Sequence, residues 1–214
     1  MPDALELALA GEPVLVLADR ALYWPARCRL LIADLHLGKG DILRAAGIAV
    51  PSGGTRHDLA RLDRLLRRTG ARELWVLGDF LHGVRHPEVE QAWRDMRAAH
   101  PALAVAVVAG NHDRALQPGA LRVELLPGDV TDGPFRFRHH PVDPGDAEGG
   151  HVVCGHVHPV VTLPGLPGRF PALLLEPGQT VLPAFAAFTG GCRVDAPGRQ
   201  WIACARGELV AHRQ

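Results

Sequence analysis

The pattern of apolar and polar positions divides the chain into two parts of different character. In residues 4–33, Leu5-Glu6-Leu7-Ala8 alternates with a period of two, while Val14-Leu15-Val16-Leu17 and Arg29-Leu30-Leu31-Ile32-Ala33 are apolar runs of strand length. Alternation marks a strand with one wet face, and a continuous run marks a strand covered on both. The third run ends in Asp34-Leu35-His36. After the loop Leu37-Gly38-Lys39-Gly40, a short helical piece is expected around Asp41 to Ala46, and Pro51-Ser52-Gly53-Gly54 is a second loop.

The spacing then predicts a long helix opened by Thr55 and closed by Gly70. Leu59, Leu62, Leu65 and Leu66 form its apolar stripe, and Thr55 and Asp58 stand in capping-box positions. Arg56, Arg61, Arg64, Arg67 and Arg68, interleaved with Asp58 and Asp63, read as its solvated face. Glu73 to Leu77 predicts a strand ending in Gly78-Asp79, followed by a loop with His82 and His86. Pro87 opens a second helix whose buried stripe is Val89, Trp93 and Met96 and which stops before Pro101. A strand from Leu103 to Ala109 runs into Gly110-Asn111-His112-Asp113. Residues 29–113 thus alternate strand and helix, the pattern of a mostly parallel sheet with its ligand groups at the carboxyl ends of the strands.

Beyond residue 113 helical periodicity fades. Phe135-Arg136-Phe137-Arg138 alternates into His139-His140-Pro141, and His151 to Cys154 runs into Gly155-His156-Val157-His158-Pro159. Further strands are expected near 171–176, 179–183, 200–205 and 208–212, giving a second, more antiparallel sheet packed on the first. The fold class is α/β. No linker or repeat interrupts the chain, so one domain spanning 1–214 is the expectation.

Composition narrows the setting. Of the 214 residues, 47% are hydrophobic and 21% charged, the balance of a folded soluble domain. No apolar run approaches membrane-spanning length, and the first residues carry acids where a secretion signal carries bases, so a cytoplasmic protein is expected. Cys28, Cys154, Cys192 and Cys204 are far apart and form no CxxC pair, which reads as reduced thiols. A formal net charge of zero advertises no nucleic-acid partner through a global field. Two biases remain: twelve histidines, and a single lysine, Lys39, among basic residues that are otherwise Arg.

The strand-end residues supply candidate chemistry. In order they are Asp34, His36, Asp79, Asn111, His112, His139 or His140, His156 and His158. Asp-x-His and His-x-His put two side chains on one side of an extended backbone, so each pair can converge on one ion. A lone carboxylate at Asp79 can bridge two cations, and mixed Asp, Asn and His ligands suit Mn²⁺, Fe or Zn²⁺. Asp113 can hold the imidazole of His112 in one tautomer.

As an ordered set these residues resemble the calcineurin-like metallophosphoesterase superfamily over about residues 30–160. The resemblance implies a four-layer αββα sandwich, two mixed sheets flanked by helices, holding two metals. One metal would take Asp34, His36, Asp79 and His158; the other, Asp79, Asn111, His139 and His156. His112 would act as general acid near the leaving-group oxygen, with Asp113 behind it. His139, at the strand end, is favoured over His140, although many relatives carry His-Gly-His where this chain has His139-His140-Pro141. Phe80-Leu81-His82-Gly83 and Gly-Asn-His-Asp depart from the protein phosphatases of the superfamily and disfavour that substrate class.

Across nearly the whole chain, His36-Leu-Gly-Lys39, His139-His140-Pro141, Gly155 to Pro159 and Leu182 to Gly191 resemble the bacterial ligase-associated, DNA-damage-response branch. That branch implies a manganese-dependent endonuclease for single-stranded DNA, acting in repair beside an ATP-dependent DNA ligase, a helicase and an exonuclease. Lys39, His82 and His140 are candidate substrate contacts. No aromatic ladder for stacking bases is visible, since Trp24, Trp75, Trp93 and Trp201 read mostly as core. A phosphodiesterase acting on a small nucleotide diester and a metal-bound, non-catalytic repair scaffold are the alternatives.

Overall fold

The computed structural model describes residues 1–83, 86–143 and 149–212. Strands β1 (Ala4–Leu9), β2 (Glu12–Leu17), β3 (Ala21–Trp24) and β4 (Arg29–Ala33) form an antiparallel meander. Helices α1 (Lys39–Ala45) and α2 (Gly54–Thr69) carry the chain to β5 (Glu73–Leu77), and α3 (Pro87–Ala99) carries it to β6 (Ala104–Val108). A short helix, α4 (Pro118–Leu121), then leads to β7 (Glu124–Leu126). β4, β5, β6 and β7 pair in parallel, so the expected strand–helix alternation holds and the first sheet is mixed.

The second sheet begins with β8 (Asp129–Asp132), β9 (Phe135–Arg138) and β10 (His151–Cys154). It continues through β11 (Pro159–Leu163), β12 (Leu166–Glu176) and β13 (Gln179–Val181), and ends with β14 (Cys192–Arg193), β15 (Gln200–Ala205) and β16 (Glu208–His212). Most of its pairings are antiparallel, but β10 lies parallel between β9 and β13. That arrangement aims the carboxyl ends of β9 and β10 the same way, which positions the histidines that follow them.

Alternate faces of the strands fill separate cores. Leu31, Ala33, Leu77 and Val108 of the first sheet meet Phe135, Phe137, Val153 and Leu173 of the second in a buried inter-sheet core. Leu30, Ile32, Val76 and Val107 face outward onto Leu59, Leu62, Leu65 and Leu66 of α2, and onto Val89, Trp93 and Met96 of α3. The two helical stripes are as expected. A buried aliphatic or aromatic side chain contributes about 1.5–3 kcal/mol, so these faces fix how the helices dock.

The α/β class with its two mixed sheets is as expected, and one expectation about helix ends is corrected. The outer face of the second sheet packs Val152, Cys154, Ala172, Leu174 and Ala203 against Val161, Leu163 and Val194, with Leu166 and Phe170 beside them. No helical residue contributes to that core among the described residues; the β11–β12 hairpin folds over the face instead, because the chain there is punctuated by Pro and Gly. α2 begins at Gly54 with Gly53 as its N-cap, and neither Thr55 nor Asp58 caps it. The Thr55 hydroxyl accepts a hydrogen bond from the Gly38 amide, and Asp58 is committed elsewhere. Gly70 ends the helix in the left-handed conformation, as its position predicts.

Candidate metal centre

The loops that follow the parallel strands stay hydrogen-bonded after the strands end. Asp34 N donates to Gly78 O, His36 N to Asp79 O and Leu37 N to Phe80 O. The chain turns sharply here: φ is +52° at Asp34, +45° at His36, +41° at Asp79, +68° at His156 and +51° at His158. Left-handed backbone at non-glycine residues costs of order 1–3 kcal/mol each and persists only where surrounding contacts enforce it. The Asp-x-His and His-x-His pairs are therefore not extended, and the second pair divides between two groups of donors, as the family resemblance implies. His158 turns toward Asp34 and His36, while His156 turns toward His139 and His140.

Each carboxylate has one oxygen fixed by main chain and one left to the centre. Asp34 Oδ2 accepts from His156 N at 2.8 Å, and its buried Oδ1 has no hydrogen-bond partner. Asp79 Oδ1 accepts from His112 N at 3.0 Å, leaving Oδ2 3.8 Å from His36 Nε2. On one side of Asp79, His36 Nε2 is 3.4 Å from His158 Nε2, which is 3.6 Å from Asp34 Oδ2. On the other, His139 Nε2 is 3.1 Å from Asn111 Oδ1, 3.1 Å from His156 Nδ1 and 3.7 Å from Asp79 Oδ1.

Electron pairs from two carboxylates, an amide and four imidazoles thus converge with Asp79 between two groups. Asp34 and Asp79 are both buried, and buried charge is tolerated only when paired or bound to a metal. The orphaned Asp34 Oδ1 and this O/N donor set fit divalent cations of the Mn²⁺, Fe or Zn²⁺ type. Space is kept for them by glycine. A Cβ at Gly110 would collide with Asp79, and one at Gly155 would come within 2.6 Å of Asp34 Oδ2.

Electrostatics prepares the imidazoles. Burial, reinforced by the nearby positive charges of Lys39, His158, His82 and His112, pulls the pKa of His36 down to about 2. Burial and Lys39 pull His82 down to about 4. Both rings are neutral near pH 7 and present lone pairs. His139 is buried, with Nδ1 3.4 Å from Leu77 O; a proton donated there leaves Nε2 for the centre. His140 lies exposed at the rim, its ring 4.1 Å from that of His156. The half-buried Lys39 sits near enough to Asp34 and Asp79 to feel both charges, while burial lowers its pKa.

Two of the expected contacts take other partners. Asp113 does not orient His112: its Oδ1 accepts from Leu81 N at 2.8 Å, and its Oδ2 from Gly110 N at 2.9 Å and Phe80 N at 3.1 Å. The carboxylate is a staple joining the loops after β5 and β6, with no oxygen turned to the imidazole. His82, expected to meet substrate, has Nδ1 3.2 Å from His36 Nδ1, on the ring edge opposite the nitrogen that faces the centre. It also stands 4.9 Å from the His112 ring.

Another set of residues supports the centre from behind. The segment after β13 returns to β4, where Phe185 N donates to Ala33 O and Ala186 N to Asp34 O. Arg61 donates to Phe185 O, Arg20 to Ala186 O, and Asp58 accepts from Ala187 N while pairing with Arg61 at 3.1 Å. Asp58 and Arg61 are thus removed from the solvated face of α2 and buried. Helical spacing placed them correctly along the helix, but their partners lie more than a hundred positions away, where no local pattern reaches. The apolar run Leu182 to Gly191 was the one sequence signal for this segment.

A scan of family models matches residues 29–160 to the calcineurin-like phosphoesterases. No curated protein matches the chain. Among solved structures, the Pseudomonas putida nuclease MPE is 35% identical, covering 98% of this chain and 100% of its own, with a TM-score of 0.84. A protein of unknown function from Aquifex aeolicus, AQ665, is 19% identical over 61% of this chain and 78% of its own, at a TM-score of 0.42. The motif-bearing strand ends, the two-sheet frame, the family match and the likeness to the Pseudomonas putida nuclease agree: the chain belongs to the calcineurin-like phosphoesterase family and is a metal-dependent hydrolase of ester bonds.

Proposed function

We propose that this protein is a Mn²⁺-dependent endonuclease that cuts single-stranded DNA during DNA repair in the cytoplasm. The observation that carries the reading is the pair of donor groups joined at Asp79, with an imidazole at its open edge. The full-length likeness to a nuclease supports the substrate class. Asp34, His36, Asp79 and His158 would hold one cation, and Asp79, Asn111, His139 and His156 the other. When bound, the two cations supply Lewis-acid charge to a phosphodiester and to an attacking water.

The remaining work belongs to the chain. His112 occupies the bridge region at φ −90°, ψ −7°, a conformation frequent in active sites, and its side chain is 42% exposed. It reaches the open side of the centre and gives a proton to the departing alkoxide. Its backbone amide is fixed by Asp79 Oδ1, so ligand and acid move as one unit. Asp113 holds the two loops beneath them. Lys39 and His140 contribute polarity at the rim, where a phosphate enters. DNA ligase, helicase and exonuclease are the partners that a nick in such a pathway would serve.

The test is direct. Purified protein with Mn²⁺ is offered circular single-stranded DNA, duplex DNA and cyclic nucleotides in parallel. Linearisation of the single-stranded circle supports the reading. Hydrolysis of the cyclic nucleotides alone would replace it with a small-diester phosphodiesterase.

A further inference from the structure

A cleft of about 250 Å³ opens beside His158. Arg20, Arg169 and Thr189 line it together with the Gly190-Gly191 backbone, and among the described residues no acidic one does so. Arg20 spends Nη1 on the carbonyls of residues 184–186, at 2.9 Å from Ala186 O. Its Nε and Nη2 make no hydrogen bond among the described residues. Arg169 is exposed on β12 and forms neither an ion pair nor a hydrogen bond among them. Several other arginines among the described residues are paired with acids: Arg27 and Arg29 with Asp132, Arg67 with Asp63, Arg68 with Asp3, Arg193 with Asp195. Two guanidinium groups with open edges thus line one cleft together with the candidate metal ligand His158.

We propose that Arg20 and Arg169 bind a backbone phosphate of the single strand next to the one being cut. The proposal rests on the nuclease reading and deepens it. Guanidinium groups match phosphate oxygens in a planar, two-pronged geometry. A strand leaving the centre past His158 enters this cleft, and a small diester with one phosphate has nothing to place there. Burial holds the pKa of the Arg20 guanidinium below its ordinary value, a cost that an arriving anion offsets. The cleft therefore selects polymer over monomer without reading bases, as phosphate contacts do in general.

The experiment compares the Mn²⁺-loaded full chain with its Arg169→Glu and Arg169→Lys variants on an oligothymidylate and on a thymidine dinucleotide. The dinucleotide carries the scissile phosphate and no neighbour. Expected in Arg169→Glu is a roughly tenfold fall in the kcat/KM ratio of oligomer to dinucleotide, carried by KM, with partial recovery in Arg169→Lys. The slope of log kcat/KM for the oligomer against log salt should also flatten by about 0.7 for the lost phosphate contact. An unchanged ratio and slope in Arg169→Glu would overturn the subsite while leaving the nuclease intact. Failure of the wild-type protein to cut the oligomer at all overturns both readings, and the wild-type lane alone shows it.

Discussion

His112 touches the centre through geometry that does not depend on its ring being a ligand, with Nε2 4.0 Å from Asp79 Oδ2. Substituting it with Ala should leave Mn²⁺ content unchanged, measured by elemental analysis, and slow diester cleavage by roughly 10²–10⁴. Normal turnover in the loaded variant would remove His112 from proton transfer. His82 makes the opposite prediction. Its Nδ1 faces His36 Nδ1 at 3.2 Å, the position from which a neighbour sets the tautomer of a ligating imidazole. His82→Ala should weaken Mn²⁺ binding by about 10–100-fold, read by titration, and retention of wild-type affinity would make it a rim residue only. Every residue of the centre was legible from its strand-end position, because Asp, Asn and His after apolar runs are unusual. Their roles were less so. Asp113 adjoins His112 in sequence, yet three main-chain amides claim its oxygens, and adjacency alone could not reveal that.

At the scale of elements, the decisive contact is between α2 and the segment that follows β13. Asp58 and Arg61 are both nearly buried, and together they bind the main chain at Phe185 and Ala187, whose neighbours bond Ala33 and Asp34. Breaking one side of a buried pair leaves an uncompensated charge and costs about 3–5 kcal/mol. For a chain of this length, at about 2–4 °C per kcal/mol, Asp58→Ala should lower the melting temperature by roughly 6–20 °C. A shift of a degree or less in calorimetry would show the pair to be dispensable. The strands and helices of residues 29–113 followed from period and punctuation. The left-handed turns at Asp34, His36 and Asp79 did not, because non-glycine residues adopt that conformation only under contacts from other strands.

The whole molecule concentrates neutral histidines around two buried carboxylates, and that has a consequence for stability. His36 and His82 are held at about 2 and about 4, and burial also lowers His140, His151 and His156. Between those values and the ordinary histidine pKa of about 6.5, the unfolded chain binds more protons than the folded one. Stability is then complete above about pH 6.5 and falls as pH drops. Metal-free protein should melt at progressively lower temperature from pH 7 to pH 5, and a flat profile would contradict the buried, neutral rings. Among the described residues no helix is long and apolar enough to cross a membrane. The central claim is that two cations share Asp79 at the meeting point of the two sheets. Equilibrium dialysis against Mn²⁺ measures it most directly. Two ions per wild-type chain, and loss of both in Asp79→Ala that remains folded by circular dichroism, is the predicted result; a single ion in the wild type, or two retained without Asp79, would contradict it.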